Sequence, residues 1–310
     1  MKLSSRVGAA VLALILLLSA LFSGCAPAAP ENSGGISVVT TVFPIYDWVR
    51  CLLGQREDVS LTLLQDSGAD LHSYQPTVQD MAAIAQCDLF IYVGGPSDGW
   101  VAEALTGADN PNLRAVNLLA LLDDGDAEGH HEKDHDHGPD EHVWLSLRNA
   151  AVLCREIAGV LSELDPENRE RYGENLQSFT AALTALDEKY RQAVDAAAHK
   201  SLVFGDRFPF SYLAEDYGLD CYAAFSGCSA ESEASFETIA YLAGQVDALG
   251  LPAVIRLEGA GHRIAETVAE TAKAKPKVLV MNAMQSAQPM GADYLTIMEE
   301  NLAVLTEALG

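Results

Sequence analysis

The chain has 310 residues, with 44 acidic against 19 basic side chains and a formal net charge of −25 at pH 7. That acidity argues against a nucleic-acid binder, because phosphate backbones recruit basic surfaces. After the N-terminal segment no apolar run approaches the ~20 residues that cross a bilayer, which excludes a permease.

Lys2 and Arg6 form a short positive start, and Val7 to Leu18 follow as an uncharged apolar run. The run is shorter than a membrane span and gives way to small residues, so residues 1–24 read as a secretory signal. Its end, Leu21-Phe22-Ser23-Gly24-Cys25, resembles a bacterial lipobox, with Phe22 where that pattern prefers Leu. Lipid attachment at Cys25 is the expectation. Pro27, Pro30, Ser33, Gly34 and Gly35 make residues 25–35 a flexible tether of turn-formers.

From residue 36 short β-rich runs alternate with helical patterns. Strands are predicted at Ile36–Val42, Val59–Leu64, Leu89–Gly94 and Arg114–Leu118, then at Leu202–Gly205, Cys221–Ala224, Ala253–Glu258 and Lys277–Asn282. Apolar strands separated by helices predict an α/β fold with mainly parallel sheets covered on both faces. Gly68 to Pro76, the loop after the second strand, carries His72 beside Asp70. Thr77 and Asp80 then form a capping box that opens a helix at Val78. Residues 123–140 place His130, His131, His135 and His137 among acids, a composition that buries no core and predicts a disordered, metal-collecting loop. His142 follows directly in Pro139-Asp140-Glu141-His142-Val143-Trp144. Asp70, Asp140 and Glu141 are placed to accept a second ring proton and so fix a metal-coordinating tautomer.

Asp165-Pro166 reads as a helix start, with Asp as cap and Pro in the first turn. Tyr172, Leu176, Phe179, Leu183, Leu186, Tyr190 and Val194 recur at spacings of three and four, as one apolar stripe does. Residues 165–198 are therefore predicted as a rigid spine between an N-terminal lobe, 36–164, and a C-terminal lobe, 199–310. Clefts between such lobes, beyond the carboxyl ends of strands, are favoured binding sites. Asp206 stands at one such strand end next to Arg207, either as an oxygen donor or as half of an ion pair. Glu258, His262 and Asn282 lie near two others. Cys51, Cys87 and Cys154 read as small core residues, while Cys221 and Cys228 could bridge in an oxidising compartment.

The two histidine segments, together with Thr41-Val42-Phe43-Pro44-Ile45-Tyr46-Asp47-Trp48, resemble the metal-specific solute-binding proteins of zinc and manganese ABC importers. The resemblance continues through Cys87-Asp88-Leu89-Phe90-Ile91-Tyr92-Val93-Gly94-Gly95, the spine helix, and Phe210-Ser211-Tyr212-Leu213 with Tyr217-Gly218-Leu219. It covers the chain from about residue 36 to the C-terminus. It implies two lobes with metal held between them, His72 and His142 as ligands, and an ABC permease with its ATPase as partners. A monomer anchored to the outer face of the membrane by lipid is expected, without enzymatic activity and without nucleic acid. The C-terminal lobe departs from the family pattern. Arg207 occupies a usual ligand slot although a guanidinium offers no lone pair, which makes Asp206 the nearest donor. Asn282 stands where the family usually has an acid. Two imidazoles with one or two oxygens suit Zn2+, whereas Mn2+ prefers more oxygen. The expectation is thus a zinc receptor, with a manganese or iron receptor of the same fold as the alternative. A secreted metal hydrolase is disfavoured, because no H-E-x-x-H motif is present.

Overall fold

Val38, Val39, Phe90, Ile91, Val203, Val254 and Ile255 are buried in strands that face apolar layers on both sides, as parallel strands require. The computed structural model describes residues 35–66, 70–108, 110–123, 140–225, 234–259, 261, 263–286, 288–289 and 291–310. The expected signal, Cys25, nearly all of the tether, and 124–139 of the His-rich segment lie outside them, as do His262 and Cys228. Residues 36–310 form one compact unit.

Eight strands are found among the described residues, six inside the runs that the sequence predicts and two, at Ser201 and Asp220, beginning one residue before them. They are β1 (Ser37–Thr40), β2 (Ser60–Leu63), β3 (Leu89–Tyr92), β4 (Arg114–Asn117), β5 (Ser201–Phe204), β6 (Asp220–Ala223), β7 (Ala253–Leu257) and β8 (Lys277–Met281). They make two four-stranded sheets, in the orders β2-β1-β3-β4 and β6-β5-β7-β8. All pairings are parallel; Val39 lies opposite both Thr62 and Phe90, and Ile255 opposite both Phe204 and Leu279. Gly205, just after β5, makes a close approach possible, since a Cβ there would overlap the backbone of Ala265.

The N-terminal half carries helices α1 (Phe43–Leu53), α2 (Val78–Gln86), α3 (Val101–Thr106), α4 (Leu118–Asp123) and α5 (Leu147–Leu164). The capping box at Thr77 is complete. The Thr77 side chain accepts from Asp80 N, and the Asp80 carboxylate accepts from Thr77 N. Residue 123, predicted as the start of the acidic loop, ends α4 instead.

Arg169–Ala196 is the long helix, α6, of 28 residues, or roughly 42 Å at 1.5 Å per residue. Pro166–Asn168 precede it as a 3-10 turn, and Asp165 does not cap it. The Asp165 carboxylate is taken instead by Arg56 Nη1 at 2.6 Å and by Tyr172 Oη at 2.7 Å. These partners give a charge-assisted alternative to the backbone donors. Tyr172, Phe179, Leu183, Leu186, Tyr190 and Val194 are buried, with Leu176 partly so, in a core to which both sheets contribute. The C-terminal half adds α7 (Ser211–Tyr217), α8 (Phe236–Leu249), α9 (Arg263–Thr271) and α10 (Tyr294–Leu309). Cys87 and Cys154 are buried and Cys51 is partly so.

Leu183 is 1% exposed inside this shared core. Leu183→Ala is expected to lower stability by about 2–5 kcal/mol, read from the midpoint of urea denaturation at unchanged slope.

Candidate metal centre

Both candidate histidines sit on short 3-10 turns beyond the carboxyl ends of the first sheet. His72 belongs to the turn Leu71–Ser73, and the Asp70 carboxylate caps that turn by accepting from His72 N at 3.0 Å. His142 precedes the turn Val143–Leu145, with its backbone N donating to Asp140 Oδ1 at 2.9 Å. Buried Leu71 under one turn, and Val143, Trp144 and Leu145 in the other, root both in the core. The fold brings the two imidazoles together, with ring centroids 5.3 Å apart and planes tilted by 51°. His142 is 2% exposed and packs edge-on against Trp144.

The hydrogen bonds fix which ring nitrogen carries the proton. His142 Nδ1 lies 2.7 Å from Asp140 Oδ1, so it donates to that carboxylate. His72 Nδ1 lies 3.0 Å from Ser97 Oγ, whose own proton goes to Glu141 Oε2 at 2.7 Å. With its one proton committed, the Ser97 hydroxyl accepts from His72 Nδ1. Glu141 Oε2 itself is 3.3 Å from His72 Nδ1. On both rings Nδ1 is thus the protonated nitrogen and Nε2 carries the lone pair, the arrangement a metal-binding histidine uses.

The carboxylates beside the two rings are kept ionised. Burial pushes the Asp140 carboxyl up, but hydrogen bonds from His142 and Ser211 hold it below the usual carboxylate range. Glu141 follows the same balance, burial opposed by His72 and Ser97. Gly95 makes room for it, since a Cβ there would overlap the Glu141 side chain. Ser97 N also donates to Glu141 Oε1 at 2.6 Å. Asp98 is different. It is 6% exposed, and burial, reinforced by the charge of Glu141, pushes its carboxyl up to about 6 although Gly94 N donates to it.

The C-terminal half contributes differently from the sequence expectation. Asp206 is 7% exposed, and its oxygens accept from Arg207 N at 2.9 Å and from Leu257 N at 3.1 Å, tying the end of β5 to β7. Arg207 makes no ion pair with it; the guanidinium reaches Asp70 Oδ2 at 3.2 Å instead. Asn282 accepts from Met284 N through its side-chain oxygen and donates to Gln288 Oε1, both at 2.8 Å. Glu258 is exposed. Among the described residues no group of three or more His, Cys, Asp or Glu converges as a metal site, so Asp206 is not gathered with the two imidazoles. Ser97 and Gln285 enter the site without having been singled out in the sequence, and Ser211 and Tyr212, noted there only as part of a motif, enter it as well. Ser97 carried a usable signal as a polar residue just after β3.

Residues 38–308 match the model of the ZnuA family, described as zinc-uptake complex component A, periplasmic. The chain belongs to this family. It is 30% identical over 306 residues to the zinc-binding lipoprotein AdcA of Streptococcus pneumoniae, covering 95% of this chain and 60% of the relative's length. It is 29% identical over 309 residues to the high-affinity zinc uptake system protein ZnuA of Bacillus subtilis, covering 96% of each. Among solved structures, the laminin-binding adhesin Lmb of Streptococcus agalactiae superposes with a TM-score of 0.76 at 25% identity, over 89% of this chain and 100% of that one. The Zn(II)-bound ZnuA-like domain of S. pneumoniae AdcA gives 0.72 at 28% identity, over 89% and 99%. Family members are components of transport systems, and this chain shares their two parallel-sheet lobes and long helix. No helix among the described residues is long and apolar enough to cross a membrane.

Because the Asp98 carboxyl titrates at about 6 in the folded chain against an ordinary 3.8, its ionisation favours unfolding. Stability is then lost as pH rises between those values. Asp98→Asn keeps an oxygen for Gly94 N and removes the charge. It is expected to stabilise the metal-free protein by on the order of 2 kcal/mol at pH 7, with the gain vanishing near pH 4 in thermal unfolding followed across that range.

Proposed function

We propose that this chain captures Zn2+ at His72 and His142 and passes it to an ABC permease and its ATPase. In this reading the mature protein is a monomer held outside the cell membrane by lipid on Cys25, and residues 123–140 collect metal. The observation that carries it is the pair of imidazoles 5.3 Å apart, each with Nδ1 committed to a carboxylate or to a hydroxyl that serves one.

The chemistry follows from that pair. Two neutral Nε2 donors suit zinc, which takes nitrogen at ~2.0–2.1 Å and fills its remaining positions with oxygen. The protons stay on Nδ1, hydrogen-bonded to their acceptors, when metal binds, so only a proton competing for Nε2 has to leave. Asp140 and Glu141 are held as anions, so the charge of the incoming dication is balanced close by without either carboxylate acting as a ligand. Manganese, which favours oxygen and higher coordination, gains less from this donor set. The ZnuA family membership and the zinc-binding relatives support the same choice.

His72→Ala and His142→Ala are each expected to lower zinc affinity at least about 100-fold, and Asp140→Ala about 10–100-fold through loss of the ring's orientation. Competition with a chromogenic chelator measures all three. Undiminished affinity in the His72→Ala, His142→Ala double variant would overturn the assignment, and manganese outcompeting zinc would redirect it to the other metal.

A further inference from the structure

Each imidazole stands on a turn of the N-terminal half, yet side chains of the C-terminal half fasten both turns. Asp70 Oδ1 caps the His72 turn, while its Oδ2 accepts from Gln285 Nε2 at 2.8 Å and from Arg207 Nη2 at 3.2 Å. The Gln285 carbonyl also accepts from Leu71 N at 2.9 Å. On the other turn, the Ser211 hydroxyl donates to Asp140 Oδ2, and Tyr212 Oη to the Asp140 carbonyl at 3.2 Å. Trp144 Nε1 donates to the Ala283 carbonyl at 2.9 Å, and Tyr294 Oη to the Trp144 carbonyl at 2.5 Å.

We propose that Arg207, Gln285, Ser211 and Tyr212 are positioning residues, through which the C-terminal lobe sets zinc affinity by holding Asp70 and Asp140. Arg207 makes the case distinctive. Its guanidinium has no lone pair for a metal, and its charge taken alone opposes a dication. Its hydrogen bond to Asp70 does the reverse, because it fixes the turn that aims His72. The two effects have opposite signs, so a single substitution separates them. Gln285 adds a neutral donor to the same oxygen, and its carbonyl grips the next residue along. Ser211 holds the carboxylate that fixes the His142 tautomer, and Tyr212 holds the backbone carbonyl of the same residue. The lobe therefore acts on both donors through one aspartate apiece.

The inference rests on zinc binding at His72 and His142, and the test separates the two. In the full chain, Arg207→Ala, Arg207→Lys, Gln285→Ala and a Ser211→Ala, Tyr212→Phe pair are compared with wild type by chelator competition for zinc. The same set is compared by the visible spectrum of the Co2+ form and by hydrogen exchange at residues 70–73 and 140–144 without metal. Loss of outer partners is expected to weaken zinc binding about 10–100-fold. Arg207→Lys should be weakened as well, since it keeps the charge but not the fork geometry. The Co2+ bands should not move, because the donor atoms are unchanged, and amides of the affected turn should exchange faster. Tighter zinc binding in Arg207→Ala, or wild-type affinity in Arg207→Lys, would show that the arginine acts by charge alone and overturn the proposal. Shifted Co2+ bands in Gln285→Ala would make that residue a ligand and overturn it too. Unchanged affinity throughout, with wild type binding zinc, defeats this inference only; a wild type that binds no zinc defeats the metal assignment beneath it.

Discussion

Tyr172, Phe179, Leu183, Leu186, Tyr190 and Val194 lie buried along one face of α6, in a core to which both sheets contribute. Each such side chain is worth ~1.5–3 kcal/mol of burial, and the stripe is shared rather than divided between two separate cores. Neither sheet can swing far about the helix without returning part of that stripe to water. The carboxyl ends of the strands in both halves are thereby held at a set spacing, and the polar turns beyond them inherit it. Buried Asp47 works to the same end. Its Oδ2 accepts from Tyr294 N at 2.8 Å, pinning the start of α10 to α1 of the other half.

On that frame the site is an arrangement of acceptors around two rings. A carboxylate near an imidazole could simply attract a proton and turn the ring into a cation. Here the acceptors sit on Nδ1 and leave the lone pair at Nε2, which suits a ring that is to receive a cation. Glu141 acts on His72 both directly, at 3.3 Å from Nδ1, and through the Ser97 hydroxyl, which passes the polarity along. Arg207 then neutralises Asp70, the carboxylate that serves the turn's backbone rather than a ring.

Much of this was legible in the residues. The eight strands followed from short apolar runs between helical patterns, and the spine from one stripe of threes and fours. His72 and His142 stood out because each lies beside carboxylates on a loop after a strand or an acidic segment. What escaped was set by tertiary distance. Arg207 has an acid beside it in the chain, but the backbone N of Arg207 and that of Leu257 occupy Asp206, and the guanidinium's partner is 137 residues away. Gln285 looks like one more polar residue in a loop, and only the approach of the two halves places it on Asp70. Asp165 was expected to cap a helix; Arg56, far away in sequence, offered a charged donor that backbone groups could not match.

Asp140 has a consequence beyond the ring it serves. It is the first described residue after the His- and acid-rich segment, and α7 grips it through both its carboxylate and its carbonyl. On the other side that segment leaves the end of α4, whose Leu118 and Leu119 are buried. Both ends are thus anchored independently of what lies between them. The hydrogen bonds that place His142 therefore draw on no residue of 124–139.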